Sequence, residues 1–142
     1  MPTSVDHYLF DTSAAIAFVD ADNPYHRGIW ELASCVRRGL SGHANFEFFS
    51  VLTRLPLPKR LDRAEAIRLI HSEFAEPRFL PEQAQEPLLA ECAAKGISGG
   101  MIYDALVAAC ARHHQVPLLT CDLRAEETYR LLGVDFVNAP MG

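Results

Sequence analysis

Four acidic residues, Asp11, Glu47, Asp104 and Asp122, fall where an apolar run ends or a helix should begin. Asp11 directly follows the aromatic and aliphatic run 7–10, and Asp122 comes two residues after Leu118-Leu119-Thr120. Glu47 interrupts Phe46-Glu47-Phe48-Phe49, and Asp104 interrupts the segment MIYDALVAACA, each in the first turn of an expected helix. Carboxylates brought together repel one another, and some stay protonated unless positive charge compensates them. Hard oxygen ligands select Mg²⁺ or Mn²⁺, which bind through a few carboxylates and keep several waters. Such a site can activate water and stabilise a phosphodiester in transition. No G-x-S-x-G elbow, Walker loop or catalytic-histidine pattern offers a different chemistry.

Each acid also has a plainer use. Aspartate is a common helix N-cap, although Thr12 and Ser13 can cap the first helix equally well. Glu47 can pair with Arg54. Asp104 is harder to explain away, because its helix is apolar nearly all round and should be deeply buried. An unpaired charge there costs several kcal/mol by order of magnitude. The helix dipole relieves part of that cost, and a cation relieves more.

The elements that must position these acids alternate between strand and helix. Strands are expected at 7–10, 41–44, 78–80, 116–120 and 134–137. Helices are expected at 14–21, at 25–38 ended by Gly39, and from Asn45 as cap through Leu52. Leu55-Pro56-Leu57-Pro58 breaks the last of these. A capping box of Asp62 and Glu65 opens the next helix. Further helices are expected at 82–95 before Gly96, at 101–114, and at 124–132 before Gly133. This order implies an α/β fold, a parallel sheet covered on both faces. Ligands of such sheets bind beyond the carboxyl ends of the strands.

The 142 residues fit one domain, 1–142, and 49% hydrophobic with 22% charged residues describe a globular chain. No run approaches the roughly 20 apolar residues that cross a bilayer. The start MPTSVDHYLF lacks the pattern of a secretory signal, so a cytoplasmic protein is expected. Cys35, Cys92, Cys110 and Cys121 form no C-x-x-C pair and read as small buried hydrophobes, three of them in helices. Zinc is disfavoured because the histidines lack ligand spacing. The net charge of −5 argues mildly against nucleic acid as partner. Two features weaken that objection. The four acids account for most of the deficit, and eleven arginines against two lysines suit bidentate phosphate contacts. Arg54, Lys59, Arg60, Arg63 and Arg68 can contact phosphate, but they read slightly better as an ordinary solvated face.

The ordered set Leu9-Phe10-Asp11-Thr12-Ser13, His43-Ala44-Asn45-Phe46-Glu47, Leu52-Thr53-Arg54-Leu55-Pro56, Tyr103-Asp104-Ala105-Leu106-Val107-Ala108-Ala109 and Leu119-Thr120-Cys121-Asp122, continuing to Tyr129-Arg130-Leu131-Leu132-Gly133, resembles the PIN-domain nucleases, and within them the VapC-type toxins. The resemblance implies a PIN-like three-layer fold with a short, mostly parallel five-stranded sheet flanked by helices. It implies a metal-dependent endoribonuclease, the toxin of a type II toxin–antitoxin system, using Mg²⁺ or Mn²⁺. It maps the family's acidic positions onto Asp11, Glu47, Asp104 and Asp122, with Asp11 and Asp104 as principal metal ligands. Thr12, Ser13 and Thr120 match supporting hydroxyls. The implied partners are RNA, a VapB-type antitoxin and a second copy of the chain, with no membrane. The rival reading is a catalytically silent PIN-like binding module. Haloacid-dehalogenase-like and receiver domains fit less well, lacking the acid two residues after Asp11 and the lysine after the last strand.

Overall fold

The computed structural model describes residues 5–142. Residues 1–4, part of the expected 1–142 domain and of the segment read for a secretory signal, lie outside the described residues. The elements run β1 (His7–Phe10), α1 (Thr12–Val19), α2 (His26–Ala33), β2 (Arg37–Leu40), α3 (Ala44–Leu52), α4 (Arg63–Glu73), α5 (Glu82–Lys95), α6 (Met101–His114), β3 (Leu118–Thr120), a 3₁₀ turn (Leu123–Ala125), α7 (Glu126–Leu132) and β4 (Phe136–Asn138).

The four strands lie in the order β2-β1-β3-β4, every pair parallel. Alternate residues of the central strands serve opposite faces, as the pleat requires. Tyr8, Phe10 and Leu119 join the core beneath α1 to α4, while Leu9 and Leu118 join the core beneath α5 to α7. The result is helices, sheet and helices in three layers. On the first face Phe74 centres an aromatic cluster, with ring centroids 5.1 Å from Phe10, 5.8 Å from Phe18 and 5.5 Å from Phe48.

Caps and glycines close the helices largely as expected. The Asp62–Glu65 capping box forms, and Gly96 and Gly133 end α5 and α7 in left-handed conformation. The first helix departs from expectation, because Asp11 rather than Thr12 or Ser13 caps it.

Among the described residues the sheet has four strands, not five. Residue 78 contributes only an isolated parallel bridge to Ser41, so the expected strand at 78–80 does not form. The second strand lies at Arg37–Leu40, while 41–44 makes the turn into α3. Correspondingly α2 stops at Ala33, short of the expected 38. Arg38 explains the early stop. Its guanidinium lies 4.5 Å from the Phe18 ring centre and donates to the carbonyls of Ala33, Ser34 and Val36. Those bonds satisfy the orphan carbonyls at the helix end. Gly39 acts through space, not as a helix stop: a Cβ there would lie 1.8 Å from the Glu76 carbonyl oxygen. Cys35 is likewise exposed in the turn after α2, not buried in a helix.

Candidate active site at the carboxyl edge of the sheet

The chain runs from β1 outward to β2, then returns to the other side of β1 with β3. The reversal leaves a crevice beyond the carboxyl ends of β1 and β3, the usual ligand position in such sheets. Asp11 leaves the end of β1, and Asp122 follows β3. Glu47 and Asp104 enter from the first turns of α3 and α6. All four acids line one cleft of about 50 Å³, together with Thr12, Ser13, His43, Tyr103, Val107 and Tyr129. A larger hollow of about 710 Å³ runs along Glu82, Gln83, Glu86, Pro87 and Ala90 of α5, without converging polar chemistry.

Asp11 is buried and closely held. Its Oδ1 accepts from the Ser13 hydroxyl at 2.7 Å and the Ala14 amide at 2.9 Å, and its Oδ2 accepts from the Tyr129 hydroxyl at 2.8 Å. Burial pushes its proton affinity above the ordinary carboxylate range, and the hydrogen bonds oppose that shift. The Tyr129 phenol is pushed up by burial and by the Asp11 charge beside it.

Ser13 and Thr120 tie the two strand ends together. The Cys121 amide donates to Ser13 Oγ at 2.9 Å, and the two hydroxyl oxygens lie 3.4 Å apart. Thr120, itself buried, accepts from the Asp122 amide at 3.0 Å and does not line the cleft. Asp122 in turn caps the 3₁₀ turn by accepting from the Arg124 amide at 2.9 Å, with Arg124 Nε 3.5 Å away.

Asp104 is less enclosed than its sequence suggests. Neighbouring Tyr103 is 54% exposed, and Asp104 itself is half-buried on the cleft wall, so α6 is not apolar on every side. Its pKa is nonetheless raised to about 6. Burial is the largest cause, followed by the charges of Asp122, Asp11 and Glu47, while Arg124 opposes them. The other three acids are thus near enough for their field to be felt. Glu47 makes no ion pair among the described residues, and Arg54 turns to Ser50 Oγ at 3.4 Å instead.

Among the described residues, no three acids, histidines or cysteines are grouped tightly enough to enclose an ion by themselves. An open set of carboxylates suits a hard cation that keeps several waters. Thr12 adds a further oxygen, for its hydroxyl is buried at the cleft without any hydrogen-bond partner. An orphan polar atom is costly unless something binds it. The all-oxygen donor set therefore fits Mg²⁺ or Mn²⁺.

Four lining residues, His43, Tyr103, Val107 and Tyr129, have no site role predicted from sequence. Tyr129 looks like one more apolar position of its helix, although it meets Asp11 across 118 residues. His43 and Tyr103 stack with centroids 4.9 Å apart and planes at 29°; both stand at the head of segments that carry the family resemblance, and Tyr103 adjoins Asp104 in sequence.

A three-layer parallel α/β domain with four acids at its carboxyl edge is the class that this fold and site define. The description "PIN domain" matches residues 8–131. Ribonuclease VapC27 of Mycobacterium tuberculosis is 40% identical over 129 residues, spanning 91% of this chain and 94% of its own. Ribonuclease VapC40 of the same species is 36% identical over 129 residues, spanning 88% and 93%. The crystal structure of VapBC2 from Rickettsia felis bound to a promoter DNA fragment superposes with a TM-score of 0.68 at 17% identity, over 94% of this chain and 99% of that one. At that identity the superposition speaks for the fold alone. The chain belongs to the PIN-domain family.

Proposed function

We propose that this chain is a VapC-type toxin of a type II toxin–antitoxin system, an endoribonuclease that hydrolyses RNA phosphodiesters at the four-acid cleft with Mg²⁺ or Mn²⁺. The observation that carries this reading is the convergence of Asp11, Glu47, Asp104 and Asp122 on one cleft, felt as the raised proton affinity of Asp104. The relatives named ribonuclease supply the substrate class. Asp11 and Asp104 would hold the cation most directly, with Glu47, Asp122 and the Thr12 hydroxyl completing its surroundings. When bound, the cation supplies water activation and offsets charge on the phosphodiester.

The remaining work falls to the chain itself. Ser13 orients Asp11 and accepts from the Cys121 amide, which fixes the spacing between the two strand ends. Thr120 holds the backbone that carries Asp122.

The same reading takes residues 1–142 as one domain in the cytoplasm, paired with a VapB-type antitoxin and with a second copy of the chain. Among the described residues no helix is long and apolar enough to cross a membrane. The exposed side chains of Trp30, Phe46, Ile67 and Phe79 supply apolar surface for protein partners.

The test compares purified wild type, Asp11→Asn and Asp104→Asn on RNA with Mg²⁺, with Mn²⁺ and with chelator. Cleavage should need the cation and vanish in both folded variants. Equal cleavage by all three proteins refutes the proposal, and tight partner binding without turnover on any RNA would favour the binding module.

A further inference from the structure

We propose that Tyr129 is a positioning residue that fixes the Asp11 carboxylate in the orientation in which it takes a cation. The proposal rests on reading Asp11 as a cation ligand. An ionised carboxylate offers about four lone-pair positions, two on each oxygen. Ser13 Oγ and the Ala14 amide fill both positions on Oδ1. The Tyr129 hydroxyl fills one on Oδ2, at 2.8 Å, and the Thr120 hydroxyl also stabilises this carboxylate.

Tyr129 is well built for this task. Its side chain is fully buried, and its ring meets Phe136 edge-on with centroids 5.6 Å apart. A clamped aromatic ring presents its hydroxyl from one place, without the spread of a long flexible donor. The bond also reaches Asp11 from α7, whereas Ser13 and Ala14 belong to the helix that Asp11 itself caps. Without it, the carboxylate loses its one donor from α7. The plainer role is packing, with the hydroxyl merely satisfying a buried acid.

Mn²⁺ binding separates the two roles, measured by the paramagnetic resonance of free Mn²⁺ over full-length, metal-stripped protein. Tyr129→Phe keeps the ring and removes the hydroxyl. Its affinity should fall by about 10- to 100-fold, the usual range for a lost ligand-orienting bond. Phe74→Leu removes core packing on the opposite face of the sheet without touching Tyr129. It should lower the melting temperature yet keep Mn²⁺ affinity within about twofold. Wild-type affinity in folded Tyr129→Phe overturns the proposal, as does an equal loss in both variants at equal loss of stability. Asp11→Asn distinguishes the underlying reading, since unchanged binding there removes Asp11 as a ligand altogether. Loss in Asp11→Asn with none in Tyr129→Phe sinks the role of Tyr129 alone.

Discussion

Asp104→Asn should make the metal-free protein more stable while destroying its activity. The Asp104 carboxyl rises from its ordinary 3.8 to about 6, through burial first and then the charges of Asp122, Asp11 and Glu47. Each tenfold change in proton affinity is worth about 1.36 kcal/mol, so the fully charged site carries roughly 3 kcal/mol of disfavoured charge. Asp104 is half-buried, and solvent screening reduces this to about 1–2 kcal/mol. Loss of a favourable charge near the N-terminus of α6 takes back about 0.5 kcal/mol. The net gain on neutralisation is then about 1 kcal/mol, a rise of about 2–5 °C in melting temperature for a chain of this size.

The sign is set by the raised affinity. Wild type keeps this stability below pH 3.8 and loses it as pH rises through about 6, whereas the asparagine variant does not titrate. Thermal unfolding in chelator, followed by circular dichroism across this range, should show two curves that coincide in acid and separate towards neutral pH. Saturating Mg²⁺ should then reverse the order by stabilising wild type selectively. If Asp104→Asn is less stable than wild type at neutral pH without metal, or if the two curves stay parallel, the repulsion reasoning is wrong.

Two further outcomes concern the frame around the site. Glu91, held by Arg112 through bonds of 2.8 and 2.9 Å and by Lys95 at 2.7 Å, has its pKa lowered to about 2 and ties α5 to α6. Glu91→Gln should cost about 1–2 kcal/mol in urea unfolding at neutral pH, after allowance for partial exposure. The difference should shrink as pH falls from 4.5 towards about 2, because a depressed acid gives its stability only while charged. Gly39→Ala should lower the urea midpoint by the equivalent of about 2 kcal/mol through overpacking against Glu76, and an unchanged midpoint would show that β2 can shift freely.

Sequence alone sets the alternation of strands and helices, the Asp62–Glu65 cap, the stops at Gly96 and Gly133 and the places of all four acids. These are local signals, written in residues a few positions apart, and a strand end or first helical turn fixes where its side chain emerges. Tertiary structure alone decided the rest. Arg37–Leu40 forms a strand although its first two residues are arginines, because pairing with β1 and the bonds of Arg38 to the end of α2 outweigh its weak strand preference. Residues 78–80 read as a strand, yet the chain bonds the edge of β2 only through Glu76 and Arg78 before leaving it, so a single bridge forms. Asp104 is charged in sequence but titrates with its neighbours in space, and Tyr129 is an ordinary helical aromatic until folding carries it to Asp11. Coulomb fields and hydrogen bonds depend on distance in three dimensions, and spacing along the chain gives no measure of it.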